Sequence, residues 1–282
     1  MANILVVGGA GGVGSAVLTM LVERGDHVVT TVLDEAEASR VRAVHGDRVP
    51  ISTVDLGDAD GTLESLRHVV AAMNGLDAVA VCAAISPNGP VESTPLSVFR
   101  RTLEINALAD VAIFQACIPA LRRSCGRVVF ISSMAGRAAL PFAGAYSMSK
   151  YALEAIADAM RREVAGQGVS ISLVEPGGIR TPLMGHQVET IGDTIAKLSV
   201  DEDRLYGHFY RAFAAITSDS YHNSASTAAQ VAAVVVEALD ADQPQARYLA
   251  GEDAKQLIGM VGNMEDAQAD AVFAQMFAKP AA

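Results

Sequence analysis

In "GAYSMSKYAL" (residues 144–153), Tyr146 stands four positions before Lys150. Four residues make about one helical turn, so a phenol and an ammonium would share one face. The pair has two readings: a solvated helix face, or a phenol whose proton a nearby positive charge has made labile. A second stretch with chemical potential is "VVGGAGGVGSAV" (6–17), which follows an apolar strand and opens a helical pattern. Gly9, Gly11 and Gly14 satisfy G-x-G-x-x-G, and Gly8, Gly12 and Gly14 satisfy G-x-x-x-G-x-G. Glycines let the backbone turn tightly and approach a ligand without a Cβ in the way. The helix behind them offers unpaired N–H groups and a positive dipole end, which suits a pyrophosphate. Between a first strand and a first helix, this pattern points to a dinucleotide.

The adenosine end of such a ligand usually meets an acid after the second strand. In "HVVTTVLDEAE" that strand ends at Val32 or Leu33, and Asp34 follows. Asp34 either reaches the ribose 2′-hydroxyl or begins the next helix. Asp55, in "TVDLGD", either bonds the adenine edge or caps the following helix. With no Arg or Lys in the Gly-rich loop or at the strand end to meet a 2′-phosphate, the expectation is NAD in preference to NADP.

The elements that must position these residues follow a repeating pattern. Apolar runs occur at 3–7, 27–32, 48–53, 77–84, 127–132, 169–174 and 246–250, most of them apolar at nearly every position, as in parallel strands covered on both faces. Helical spacing fills 14–24, 59–73, 97–123, 146–166 and 227–239. This alternation predicts an α/β fold, a Rossmann-type doubly wound sheet of about seven parallel strands with helices on both faces. With no linker, repeat or low-complexity tract, residues 1–282 read as a single dinucleotide-binding and catalytic domain. Residues 182–226 break the rhythm and read as a substrate-binding insert.

A formal net charge of −11 argues against nucleic acid and anionic membrane surfaces as partners. No uninterrupted apolar run approaches bilayer length, and "MANILVVGG" enters a strand with no export signal. Cys82, Cys117 and Cys125 have no C-x-x-C spacing, which fits buried thiols in a reduced cytoplasm. His186, His208 and His222 in the insert lack the spacing of a metal site, so no metal is expected.

Taken in order, these motifs resemble the short-chain dehydrogenases/reductases over residues 3 to about 250. The resemblance is carried by the glycines at 8–14, Asp55, "EIN" ending at Asn106, "GRVVFISSMAG" (126–136), Y-x-x-x-K (146–150) and "EPGGIRTP" (175–182). It implies a catalytic tetrad of Asn106, Ser133, Tyr146 and Lys150, with Ser133 thirteen residues before Tyr146. Ser132, the competing serine, should point to the other side of the strand end. The charge of Lys150, helped by the oxidised nicotinamide, is expected to lower the phenol from its ordinary value of about 10. Tyr146 then exchanges a proton with the carbonyl or alcohol oxygen, which Ser133 also bonds, and Lys150 binds the nicotinamide ribose. Asn106 is expected to order a water that connects Lys150 to solvent. The resemblance further assigns Gly8, Gly11, Gly12, Val13, Gly14, Leu56, Cys82, Ala83, Ala84, Pro176, Gly177, Ile179 and Thr181 to the cofactor. It also implies that the helices at 97–123 and 146–166 pair in a homodimer or homotetramer.

Two departures from the family pattern stand out. Val7 occupies the position where the family commonly has Thr, and Val81-Cys82-Ala83-Ala84 replaces N-N-A-G. Cys82 reads as a packed thiol. The expected substrate walls are 85–88, 139–142 and an insert surface with Leu183, Met184, Phe209 and Phe213, largely apolar and suited to a lipophilic secondary alcohol or ketone. "RYLAGEDAK" and the long insert resemble the steroid- and retinol-dehydrogenase-like branch. Two other readings are a sugar-nucleotide epimerase or dehydratase of the extended branch, disfavoured by the glycine spacing, and a non-catalytic cofactor-sensing protein.

Overall fold

The computed structural model describes residues 1–278, with Ser224 described through its backbone alone. Along the chain run β1 (Asn3–Val7), α1 (Gly12–Glu23), β2 (His27–Val32), α2 (Glu35–His45), β3 (Ile51–Thr53), α3 (Ala59–Ala72), β4 (Ala78–Val81), α4 (Leu96–Leu103), α5 (Ala109–Ser124), β5 (Arg127–Ile131), α6 (Gly144–Glu163) and β6 (Ser170–Pro176). There follow β7 (Ile179–Arg180), α7 (Pro182–Ala196), α8 (Val200–Glu202), α9 (His208–Asp219), β8 (Ser226–Thr227), α10 (Ala228–Asp240), β9 (Arg247–Ala250), α11 (Glu252–Val261) and α12 (Asp266–Ala278). Seven strands form a parallel sheet in the order β3-β2-β1-β4-β5-β6-β9, and β7 pairs with β8 separately.

Alternate residues of each strand feed opposite cores, which is why the strand sequences are apolar throughout. Leu5, Val7, Val79, Val81, Val128 and Phe130 pack with α3, α5 and α6 on one face. Ile4, Val6, Ala78, Ala80 and Val129 pack with α1 and α10 on the other. Strand order reverses at β1, whose neighbours are β2 and β4, and the register places Val7 beside Thr31 and Val81. This opens a crevice at the carboxyl ends of the strands.

Some boundaries depart from expectation. The run at 48–53 yields a strand only from Ile51, because Gly46–Arg48 forms a 3₁₀ turn. The expected helix at 97–123 is continuous from Leu96 to Ser124 but contains a π turn at Glu104–Leu108. By length and composition this helix is apolar enough to cross a bilayer; 61% of its most apolar window is buried inside the fold. The insert becomes α7 to α9. Beyond residue 250 the chain adds α11 and α12, which the strand-and-helix rhythm did not anticipate. A third core of Phe142, Ile191, Tyr210, Phe213 and Phe277 joins these late elements to the loop before α6. Phe142 stacks on Tyr210 at 4.6 Å between ring centroids, and the Tyr210 hydroxyl bonds the Asn88 carboxamide oxygen.

Candidate active site

Ser133 follows β5, and its Oγ accepts the Ala135 N–H at 3.1 Å, which starts a 3₁₀ turn at Met134–Gly136. The loop after it leads into α6, which carries Tyr146 and Lys150 one turn apart. Lys150 is buried, with Nζ donating to the Ile131 carbonyl at 2.8 Å and lying 5.9 Å from the centre of the Tyr146 ring. Burial lowers the Lys150 ammonium, opposed by the charges of Asp110 and Glu154.

Two features bear on the expected roles of Tyr146 and Asn106. Desolvation pushes the Tyr146 phenol up from its ordinary value, while a hydrogen bond from Ser133 works the other way. Asn106 lies in the π turn with its carboxamide already engaged. Oδ1 accepts from Ile85 N at 2.9 Å, and Nδ2 donates to Ile85 O at 2.8 Å and to Ser149 Oγ at 3.0 Å. This side chain ties α6 to the segment after β4.

Two cavities meet at Tyr146. One, of about 300 Å³, runs along the strand ends and is lined by Gly8, Gly11, Gly12, Val13, Asp55, Leu56, Cys82, Ala83, Ala84, Ser132, Lys150 and Pro176. The other, of about 490 Å³, is largely apolar. Ser133, Tyr146, Gly177, Ile179, Thr181 and Leu183 line both.

The first cavity fits a dinucleotide. A Cβ on Gly8, whose φ is +82°, would come within 2.7 Å of the Ala83 side chain, and one on Gly12 within 2.6 Å of Thr181. No side chain caps the start of α1 and no acid occupies its first turn, so its N–H groups are left for an anion. Gly14 lies outside the lining; it packs against the Gly8 carbonyl, 2.1 Å from where its Cβ would stand. Cys82 is a packed thiol, pushed up to about 12 by burial. Asp55 does not cap α3, a role taken by Asp58, and accepts the Gly57 N–H at 2.8 Å while facing the cleft.

Asp34 takes the second of its two expected readings, the start of the next helix. Its side chain accepts the Glu37 N–H as the cap of α2 and is absent from the cleft lining. Glu37 of α2 lines the cleft instead, and its side chain reaches back toward the end of β2 to accept the Leu33 N–H at 2.8 Å. A cation missed from the sequence, Arg101 on α4, lines the same cleft. Arg40 and Arg42 pair with Glu37 and Glu35.

The second cavity contains Leu183, Met184 and Phe213 as expected, but Phe209 is exposed on the outer side of α9. Its place is taken by Ile216 and by Leu257, Met260, Phe273 and Phe277 of α11 and α12. Asp253, at the start of α11, accepts the Gly178 N–H at 2.7 Å and so ties the tail to the turn shared by both cavities. His186, His208 and His222 are exposed. Among the described residues no group of His, Cys, Asp and Glu has metal-binding geometry.

A family profile described as short chain dehydrogenase matches residues 2–192. The chain is 30% identical to Retinol dehydrogenase 7 of Rattus norvegicus over 260 residues, covering 89% of this chain and 81% of the relative. Its fold is similar to that of a short-chain dehydrogenase from Streptomyces avermitilis, with a TM-score of 0.77, 23% identity, and coverage of 97% and 96% of the two chains. A short-chain dehydrogenase from Burkholderia cenocepacia in complex with NADP gives a TM-score of 0.74 at 20% identity, covering 99% and 98%. The glycine cradle at the carboxyl ends of a seven-stranded parallel sheet, the Ser133–Tyr146–Lys150 constellation and the family match lead to one conclusion: this chain belongs to the short-chain dehydrogenases and is a nicotinamide-dependent oxidoreductase.

Proposed function

We propose that the protein interconverts a lipophilic secondary alcohol and its ketone, with Tyr146 as general acid and base. One observation carries this reading: Ser133 and Tyr146 stand where the dinucleotide cleft opens into a cavity walled mainly by apolar side chains. The cofactor supplies the hydride, and the protein aims it. Ser133 and Tyr146 hold the substrate oxygen, and the neutral phenol is in the state needed to give its proton to a carbonyl. In the opposite direction the phenol must first lose that proton, and the charge of Lys150 favours the loss. Preformed hydrogen-bond donors of this kind stabilise charge developing on the oxygen. The insert at 182–226 and the tail helices serve the substrate, while Gly8, Gly11, Gly12 and the start of α1 would hold the pyrophosphate. The cofactor preference we propose is NAD, supported by the Glu37 carboxylate at the end of β2.

The test is a screen of ketones and secondary alcohols followed by nicotinamide absorbance, repeated with Tyr146→Phe on any substrate turned over. The variant keeps the ring, so folding and cofactor binding are expected to persist while turnover falls about 10²–10⁴-fold. A variant that retains more than roughly a tenth of native turnover, a smaller loss than a positioned proton donor produces, would refute the assigned role.

A further inference from the structure

The stretch "LAGEDAK" (249–255) closes β9 and opens α11, and its second acid, Asp253, sits among glycines. A Cβ on Gly177 would stand 2.1 Å from Asp253 Oδ1, and one on Gly251 2.6 Å from the same atom. Oδ2 accepts the Gly178 N–H at 2.7 Å, and Oδ1 accepts the Ala254 N–H at 2.9 Å. The carboxylate therefore uses both oxygens and fills space that a side chain at 177 or 251 would take. In the first turn of α11 it also faces the favourable end of the helix dipole.

This contact stands alone. Among the described residues no other hydrogen bond or ion pair joins 252–278 to the chain before residue 251. Yet this tail supplies Leu257, Met260, Phe273, Met276 and Phe277 to the apolar cavity. Asp253, Gln256, Leu257 and Met260 line that cavity at i, i+3, i+4 and i+7, which is one face of α11. Holding Asp253 at the shared turn sets the depth and rotation of that face. Apolar burial is non-directional, so it does not select a rotation as a hydrogen bond does. The insert reaches the same turn: a Cβ on Gly178 would stand 2.6 Å from Ser220 Oγ. Insert and tail, the two movable walls, thus meet at the residue that Asp253 holds.

We propose that Asp253 is a positioning residue that determines substrate size: it pins α11 to the turn at Gly177 and Gly178, and so fixes how far the tail helices close the apolar cavity. The effect on turnover rests on the proposed reaction, whereas the latch itself does not. With Asp253 in place, a ketone meets a fixed wall. Without it, α11 and α12 keep only non-directional contacts to the rest of the fold, and the cavity discriminates less between compact and bulky ketones.

Hydrogen exchange read by mass spectrometry tests the latch in cofactor-free protein. In Asp253→Ala the amides of α11 and α12 are expected to exchange about tenfold faster or more, the size of a lost hydrogen bond to a charged acceptor, while β5 and α6 stay protected. Gly177→Ala evicts the carboxylate from the opposite side and should release the same helices. Native exchange of α11 in Asp253→Ala, or a rise shared equally by β5 and α6, would overturn the proposal. If that variant does not fold, the same two outcomes in Gly177→Ala overturn it. Steady-state rates read the consequence. In Asp253→Ala, KM for a compact ketone should rise with kcat little changed, and the ratio of kcat/KM for compact over bulky ketones should fall. Asp253→Asn offers one acceptor to two N–H donors and should lie between. A native ratio in Asp253→Ala would overturn the role in size selection even with the helices released. The exchange arm uses neither cofactor nor substrate, so its failure is distinct from a failure of the hydride-transfer reading.

Discussion

The two cavities that meet at Tyr146 are built on opposite plans. The dinucleotide cleft is walled by backbone and small side chains at strand ends, and its glycines leave no room for a Cβ. The apolar cavity is walled by long side chains from α7, α9, α11 and α12, including Met184, Met260 and Met276. Backbone walls cannot adjust, whereas methionine side chains fill irregular space and yield to changes of shape. One cavity is fitted to a constant ligand and the other can be re-lined without disturbing the sheet.

The largest effect should come from breaking the rigid wall. In Gly14→Val, a Cβ would stand 2.1 Å from the Gly8 carbonyl oxygen, which is backbone and cannot step aside. Loss of dinucleotide binding is expected, together with marked destabilisation. Calorimetric titration and circular dichroism read the two effects, and near-native affinity would mean that the loop can shift after all.

Phe277→Ala tests the adaptable wall. Phe277 is 4% exposed and lies in the aromatic core that carries α12. Removing a buried phenylalanine costs about 3–5 kcal/mol. Since α12 packs on α9, undocking of the helix can take the place of part of that loss. KM for a substrate is expected to rise with dinucleotide affinity unchanged. If dinucleotide affinity falls equally, the two cavities are not independently built.

The same contrast explains what could be read from the sequence. The glycines, Tyr146 and Lys150 are legible because their geometry is local: a strand, a turn and a helix put them in place. Asp34 kept two readings because an acid that caps a helix and an acid that binds a ribose look alike in sequence. Glu37 becomes visible only once α2 turns it back to Leu33. The π turn that presents Asn106 leaves no compositional trace. Phe277 reaches the cavity through contacts with Phe213, sixty-four positions away in sequence, which no local pattern encodes.

Glu37→Gln sharpens the comparison within the rigid cleft. Removing one negative charge at the end of β2, and freeing Arg40 from its pairing, should improve NADP affinity relative to NAD by about tenfold, or ~1.4 kcal/mol. Titration of both cofactors into native and variant protein reads the ratio. An unchanged ratio would show that Arg101, not Glu37, governs the adenosine end.

The smallest effect concerns the strand that leads into the turn shared by both cavities. Glu175 lies in β6 just before Pro176 and Gly177, and is 1% exposed between Arg137 and Arg247. Desolvation first, and the charge of Glu154 second, push its carboxyl up from 4.5 to about 7. The folded state therefore binds a proton that the unfolded state has released. That contribution to stability is fully present below the unfolded value and is lost as pH rises through about 7. Glutamine resembles the protonated acid and does not titrate. Glu175→Gln should match the native protein near pH 4.5 and gain on it up to pH 8, by on the order of 1 kcal/mol after allowance for the two arginines it also loses. Working with the difference between variant and native cancels the opposite trend from His45, whose imidazole is lowered by burial. Urea unfolding at the two pH values measures the gain. A variant that loses ground as pH rises would show that the arginine pairs outweigh the cost of burying the charge.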